Sequence, residues 1–150
     1  MPAHLEPELS SETVVLFLSS LWQMNRRIKQ DIEPRLAQRQ LDMRRFFILS
    51  AIRRGTVYPK ELSEKLGLPA TLLSRYLEQL VQLGFLERQI DRQDSRRTRL
   101  SLTESGTQAV AAAAEDIKTS TSQRLQRLDP SRLGLLLESM ERLGHPDLER

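Results

Sequence analysis

The chain has 150 residues, 39% hydrophobic and 29% charged, which is ordinary for a helix-rich domain and enough for one proper core or two helical layers that share one. It holds no cysteine, so disulfides, thiolate zinc sites and thiol redox sensing are excluded. The net charge is only +3 with a pI near 9.7, no apolar run is as long as a membrane span, and the N-terminus lacks the pattern of a signal peptide, so a cytoplasmic protein leaning toward anionic partners is expected.

After a loose arm with prolines at 2 and 7, the residues Val14, Leu16, Phe17, Leu18, Leu21, Trp22, Met24 and Ile28 lie at helical spacing and predict a first helix from about Thr13 to Pro34 or Leu36. Its apolar stripe is broader than one small neighbour would cover. A second helix starts at Asp42, a good N-cap, and runs through Phe46, Phe47, Leu49 and Ile52 to Gly55. A short third helix follows from Pro59 to Gly67, and after a tight turn the segment ATLLSRYLEQLVQL forms a fourth, closed by Gly84.

Two alternating runs, Leu86 to Ile90 and Thr98 to Leu102, then flank a polar turn without Gly or Pro, the pattern of a β-hairpin with a long solvated tip. From Arg88 to Arg99 five arginines (Arg88, Arg92, Arg96, Arg97, Arg99) stand against Asp91 and Asp94, a local charge of +3. Two helices joined by a tight glycine turn and followed by a basic hairpin make a winged helix-turn-helix, because arginine forks pair with phosphate and fit narrow grooves. An alanine-rich helix follows Gly106, with Ala111 to Ala114 permitting close helix contact, until Asp129-Pro130 breaks it. The last helix, Ser131 to Leu143, is apolar nearly all round. Since the first and the last two helices carry more apolar surface than one chain can cover, a second copy is expected to cover it in a two-fold dimer.

The segment ELSEKLGL (61–68), the helix end LVQLGFLER (80–88), the pattern Asp91-x-x-Asp94-x-Arg96 and the pair Leu102-Thr103 ahead of Gly106 together resemble the multiple antibiotic resistance regulator (MarR) family of bacterial repressors. The resemblance covers nearly the whole chain. It implies a mainly α (α+β) fold, a winged helix-turn-helix over 41–106 with N- and C-terminal dimerisation helices over 1–40 and 107–150. It further implies a homodimeric repressor of double-stranded DNA, released by a small anionic or phenolic ligand. On this resemblance the fourth helix enters the major groove with Thr71, Ser74 and Arg75 at contact positions, and the wing reaches the flanking minor groove with Arg96 at its tip and Asp94 bracing it. The sequence departs from the family at Tyr58, where a Thr or Ser helix cap is common, and at Arg92 and Arg97, where proline and a small residue are common. Both arginines are expected to meet phosphates.

An effector pocket is expected between helices from Trp22 and Phe46, with Arg26 or Arg45 as counter-ion; aromatic residues at this spacing also serve as plain core. His4 and His145 sit near the termini beside acids, which reads as solvated tails and not as a metal site. No cofactor is implied, and no paired nucleophile and base, phosphate loop or zincin motif suggests catalysis. The competing reading is a winged-helix module that binds protein without specific DNA, which would need apolar anchors where Thr71, Ser74 and Arg75 keep the helix face polar.

Overall fold

Residues 9–145, which the computed structural model describes, form six helices and one two-stranded antiparallel sheet. They are α1 (Ser11–Gln38), α2 (Met43–Arg53), α3 (Pro59–Leu66), α4 (Ala70–Gln82), β1 (Leu86–Ile90), β2 (Thr98–Leu102), α5 (Glu104–Leu125) and α6 (Pro130–Leu143). This is the expected winged helix-turn-helix with helices at both ends. His4 lies outside the described residues; among those described, no helix is long and apolar enough to cross a membrane and no acid or histidine cluster is placed to hold a metal ion.

Side chains cap most of the helix starts. Ser10, Asp42, Thr103 and Asp129 each accept from a backbone N–H three residues on, satisfying donors that the helix itself cannot. α1 runs to Gln38, two residues beyond the expected end around Pro34 to Leu36: Pro34 removes one donor, but Ile32 and Leu36 on either side of it are both buried and hold the weakened turn. The chain turns away just after the helix at Gln40, whose φ of 58° is rare for a residue with a side chain. Its turn is closed by Gln40 N–H to Ala37 O (3.0 Å) and Leu41 N–H to Leu36 O (2.9 Å).

The core lies beneath the winged module. Leu36, Ile48, Leu49, Leu62, Leu73 and Leu80 are fully buried there, joined by Leu86, Leu100 and Val110. The hairpin pairs Leu86 with Leu102 and Ile90 with Thr98, and Leu100 N–H donates to Val57 O at 2.8 Å, which ties the sheet to the chain between α2 and α3. α5 packs on α1, α2 and β2, with Val110 and Ala113 buried, as its small residues predict. Two ion pairs lock α5 to α1: Arg39 Nε to Asp116 Oδ2 at 2.7 Å, and Arg124 to Asp31. The guanidinium hydrogen bond in each pair holds its carboxyl below the ordinary range, against the opposing effect of burial.

The chain ends are a different matter. The first two turns and more of α1 expose Val15, Leu16, Leu18 and Trp22, and α6 buries none of its residues while exposing Leu135, Leu136, Leu137, Met140 and Leu143.

The wing returns to α5 through a joint that admits no side chain: a Cβ on Gly106 would stand 2.1 Å from the Phe85 carbonyl oxygen. Gly106→Ala should therefore lower unfolding stability by about 3 kcal/mol, the upper range for a forced overpacking of backbone, measured by urea unfolding followed by circular dichroism. A loss below about 0.5 kcal/mol would show that the joint yields.

Candidate nucleic-acid interface

α3 and α4 form the helix-turn-helix. Gly67, with φ 61°, turns the chain between them, and the Ser63 hydroxyl donates to Leu68 O at 2.6 Å to close the turn. α4 buries Leu73, Leu77 and Leu80 and turns Thr71, Ser74, Arg75 and Glu78 outward, four residues at i, i+3, i+4 and i+7 on one exposed face. Two arginines of α2 hold α4 in place. Arg45 donates to Gln79 Oε1 (2.9 Å) and Gln40 O (3.1 Å), and Arg44 donates to the Tyr76 hydroxyl (3.3 Å).

The hairpin tip is built by its two aspartates. Asp91 N–H donates to Arg97 O at 2.9 Å and closes the loop, while Asp91 Oδ1 accepts from Gln93 N–H at 2.7 Å. Asp94 shapes the outer turn, accepting from Arg96 N–H on its side chain (3.0 Å) and from Arg97 N–H on its carbonyl (3.0 Å). The tip meets the body at Tyr58, whose hydroxyl donates a short hydrogen bond to Asp91 Oδ2. That bond is the main reason the Asp91 carboxyl is held below its usual range, and also the main reason the Tyr58 hydroxyl is pushed up. Arg97 lies over the Tyr58 ring, 3.5 Å from its centroid, and reaches Glu61 Oε1 at 3.1 Å.

The wing charge thus divides. Arg88 pairs with Glu78 at 3.6 Å and Arg97 with Glu61, whereas Arg92, Arg96 and Arg99 are exposed and form no ion pair among the described residues. Between α3, α4 and the hairpin runs a cleft of about 450 Å³, with Pro59, Leu73 and Leu77 among its apolar lining and Ser74, Arg88 and Thr98 among its polar lining.

Thr71, Ser74 and Arg75 lie together on α4; Arg92, Asp94 and Arg96 lie together on the wing, and Arg97 turns back toward α3. The four residues expected at an effector pocket separate into two places. Trp22 and Arg26 share a shallow hollow of about 220 Å³ with Gln23, Arg27 and Gln30, the Arg26 guanidinium 5.8 Å from the Trp22 ring centroid. Arg45 is engaged with α4, and Phe46 is half-buried against the core, 5.6 Å from the Phe47 ring. Tyr58 and Glu61 escaped sequence reasoning as parts of the interface, and Asp91 was read there only as one of the acids of the wing motif. The one signal was Tyr58 itself, an aromatic residue at a capping position where it makes no cap bond.

Residues 39–97 match the MarR family. No curated protein matches the chain. Among solved structures, the chain is similar to the transcriptional repressor CouR bound to a 23-mer DNA duplex, with 23% identity, TM-score 0.80, and 92% of this chain and 99% of that one covered. It is similar to a mutant MarR from E. coli complexed with operator DNA at 20% identity and TM-score 0.77, covering 91% and 100%. The apo form of wild-type MarR from E. coli gives 21% identity and TM-score 0.69, covering 85% and 97%. At these identities the likeness establishes the fold.

Proposed function

We propose, taking as premise that the chain carries the MarR-family module over residues 39–97, that it is a DNA-binding transcriptional regulator and not an enzyme. The observation that carries this reading is the set of three exposed wing arginines, Arg92, Arg96 and Arg99, without carboxylate partners among the described residues and beside an outward polar face on α4. Unpaired guanidinium groups on a projecting hairpin are suited to phosphate and to the negative potential of a narrow A·T-rich minor groove. α4 is nearly neutral and presents few candidates for base contact: Thr71, Ser74 and Arg75. Arg75 is the group able to bond a guanine edge with both prongs.

The regulator acts as a homodimer and represses. Residues 41–106 read DNA, and the ends, 1–40 and 107–150, pair the copies through the apolar faces of α1 and α6, which nothing among the described residues covers. A small anionic or phenolic ligand releases it, held at the Trp22–Arg26 hollow beside that pairing face, where an aromatic ring and two arginines, Arg26 and Arg27, stand together. Release requires the ligand to prefer the spacing of α4 helices that does not fit DNA.

Arg75→Ala should weaken binding to a selected operator by about 1 to 3 kcal/mol and leave bulk DNA affinity nearly unchanged, read by fluorescence anisotropy on both DNAs. An equal loss on both would reduce Arg75 to a phosphate contact, and wild-type protein without preference for any duplex would favour the protein-binding module. Leu136→Glu places a charge where the ends meet and should abolish the dimer seen by sedimentation; a folded wild-type monomer at micromolar concentration would refute the pairing. Titration with benzoates should quench Trp22 emission and weaken DNA binding together, and a panel of aromatic acids that changes neither would remove the hollow from the account.

A further inference from the structure

The hairpin tip has little core beneath it. From Asp91 to Arg97 only Asp91 is buried, and Ile90, in the last strand pair, is 73% exposed. Leu86 and Leu100 anchor the root of the ribbon, but the part beyond them has no covered face, and an uncovered two-stranded ribbon is marginal in water, so the direction of the tip is set by side-chain contacts with the body. Those contacts converge on Tyr58. Its hydroxyl occupies Asp91 Oδ2, its ring lies under Arg97, and Glu61, three residues along the same chain, takes the outer side of that guanidinium. Gln93 N–H donates to Oδ1 of the Asp91 carboxylate and the Tyr58 hydroxyl to Oδ2, so Tyr58 is the side chain of the body that holds it. The backbone at Tyr58 is extended (φ −108°, ψ 133°), as for a helix cap, yet the side chain turns away from its own helix and crosses to the wing.

We propose that Tyr58 is the positioning residue of the wing. It aims the tip relative to α3 before DNA arrives. Arg97, held between its ring and Glu61, belongs to this joint, and the phosphate contacts fall to Arg92, Arg96 and Arg99. The proposal rests on the DNA-binding reading above. Its physical basis is pre-organisation: a tip already fixed gives up less freedom when it enters a groove. Neither the cation–π contact nor the exposed ion pair is strong alone, but both need the ring where the hydroxyl holds it.

This predicts two kinds of wing variant. Tyr58→Phe keeps every charge, and Arg97→Ala removes a charge that was not on phosphate, so both should weaken binding about tenfold while leaving the slope of log affinity against log salt unchanged. Arg92→Ala should lower that slope by roughly 1.8, two contacts per dimer at about 0.9 each. The test measures both quantities for the four proteins on a duplex selected from a random-sequence library. Alongside, hydrogen exchange is followed at the Gln93 and Arg97 amides of the free protein. Tyr58→Phe and Arg97→Ala should exchange those amides several-fold faster than wild type, and Arg92→Ala should not. An equal fall in slope for Arg97→Ala and Arg92→Ala overturns the proposal, as does Tyr58→Phe with wild-type exchange and affinity. Wild-type protein that selects no duplex overturns the DNA-binding reading instead, and the exchange rates then decide the joint on their own.

Discussion

The approach of Gly106 to the Phe85 carbonyl is the contact on which the arrangement of reading elements depends. Gly84, with φ 77°, turns the chain out of α4, and Phe85 N–H closes that helix on Leu80 O at 2.9 Å. The Phe85 carbonyl then accepts from Thr103 N–H at 3.1 Å, while the Thr103 hydroxyl donates to Gly84 O at 2.6 Å and accepts from Gly106 N–H at 2.9 Å. One polar knot of four residues thus joins the end of α4, the root of the hairpin and the start of α5. None of the three can shift alone without breaking a bond in it. Since α5 is in turn pinned to α1 by Arg39–Asp116 and Arg124–Asp31, a rigid path of contacts runs from the chain ends to the helix face carrying Arg75.

Charge is distributed along that path in a way that separates attraction from reading. α4 and its surroundings are close to neutral, and Glu78 lies on the exposed face itself, partly answered by Arg88. The positive potential gathers on the wing, where two of five arginines are already paired and three face solvent. Contacts to phosphate orient a protein without naming a sequence, so on the proposed function any discrimination between base pairs would fall to very few side chains on α4.

Local chemistry made most of the fold legible in the sequence. Asp42 announced a helix start, Asp129-Pro130 a break, Gly55, Gly67 and Gly84 announced stops, and the alternation around Arg88 to Arg99 announced the hairpin, because each of these signals acts within a few residues. What escaped depends on contacts distant in the chain. Pro34 does not end α1, since tertiary burial on both sides outweighs one lost bond, and Gln40 takes a glycine's conformation with nothing in its side chain to say so. Arg45 resembles a counter-ion until α4 is seen to need it, and Tyr58 finds its partner 33 residues later. Periodicity and composition carry no record of such pairs. The apolar surplus of α1 and α6 was legible as surplus, and the structure leaves it exposed.

That exposure has an evolutionary consequence. The side chains uncovered on α1 and α6 touch neither the core of the winged module nor the polar knot at Gly106, and they share no residue with the outward face of α4. Whatever they recognise is therefore chosen by a different stretch of gene from the one that chooses what α4 meets. If the end helices pair copies as proposed, drift in them can give duplicated copies separate mating preferences and keep them from mixing, while the outward face of α4 in each stays as it was inherited.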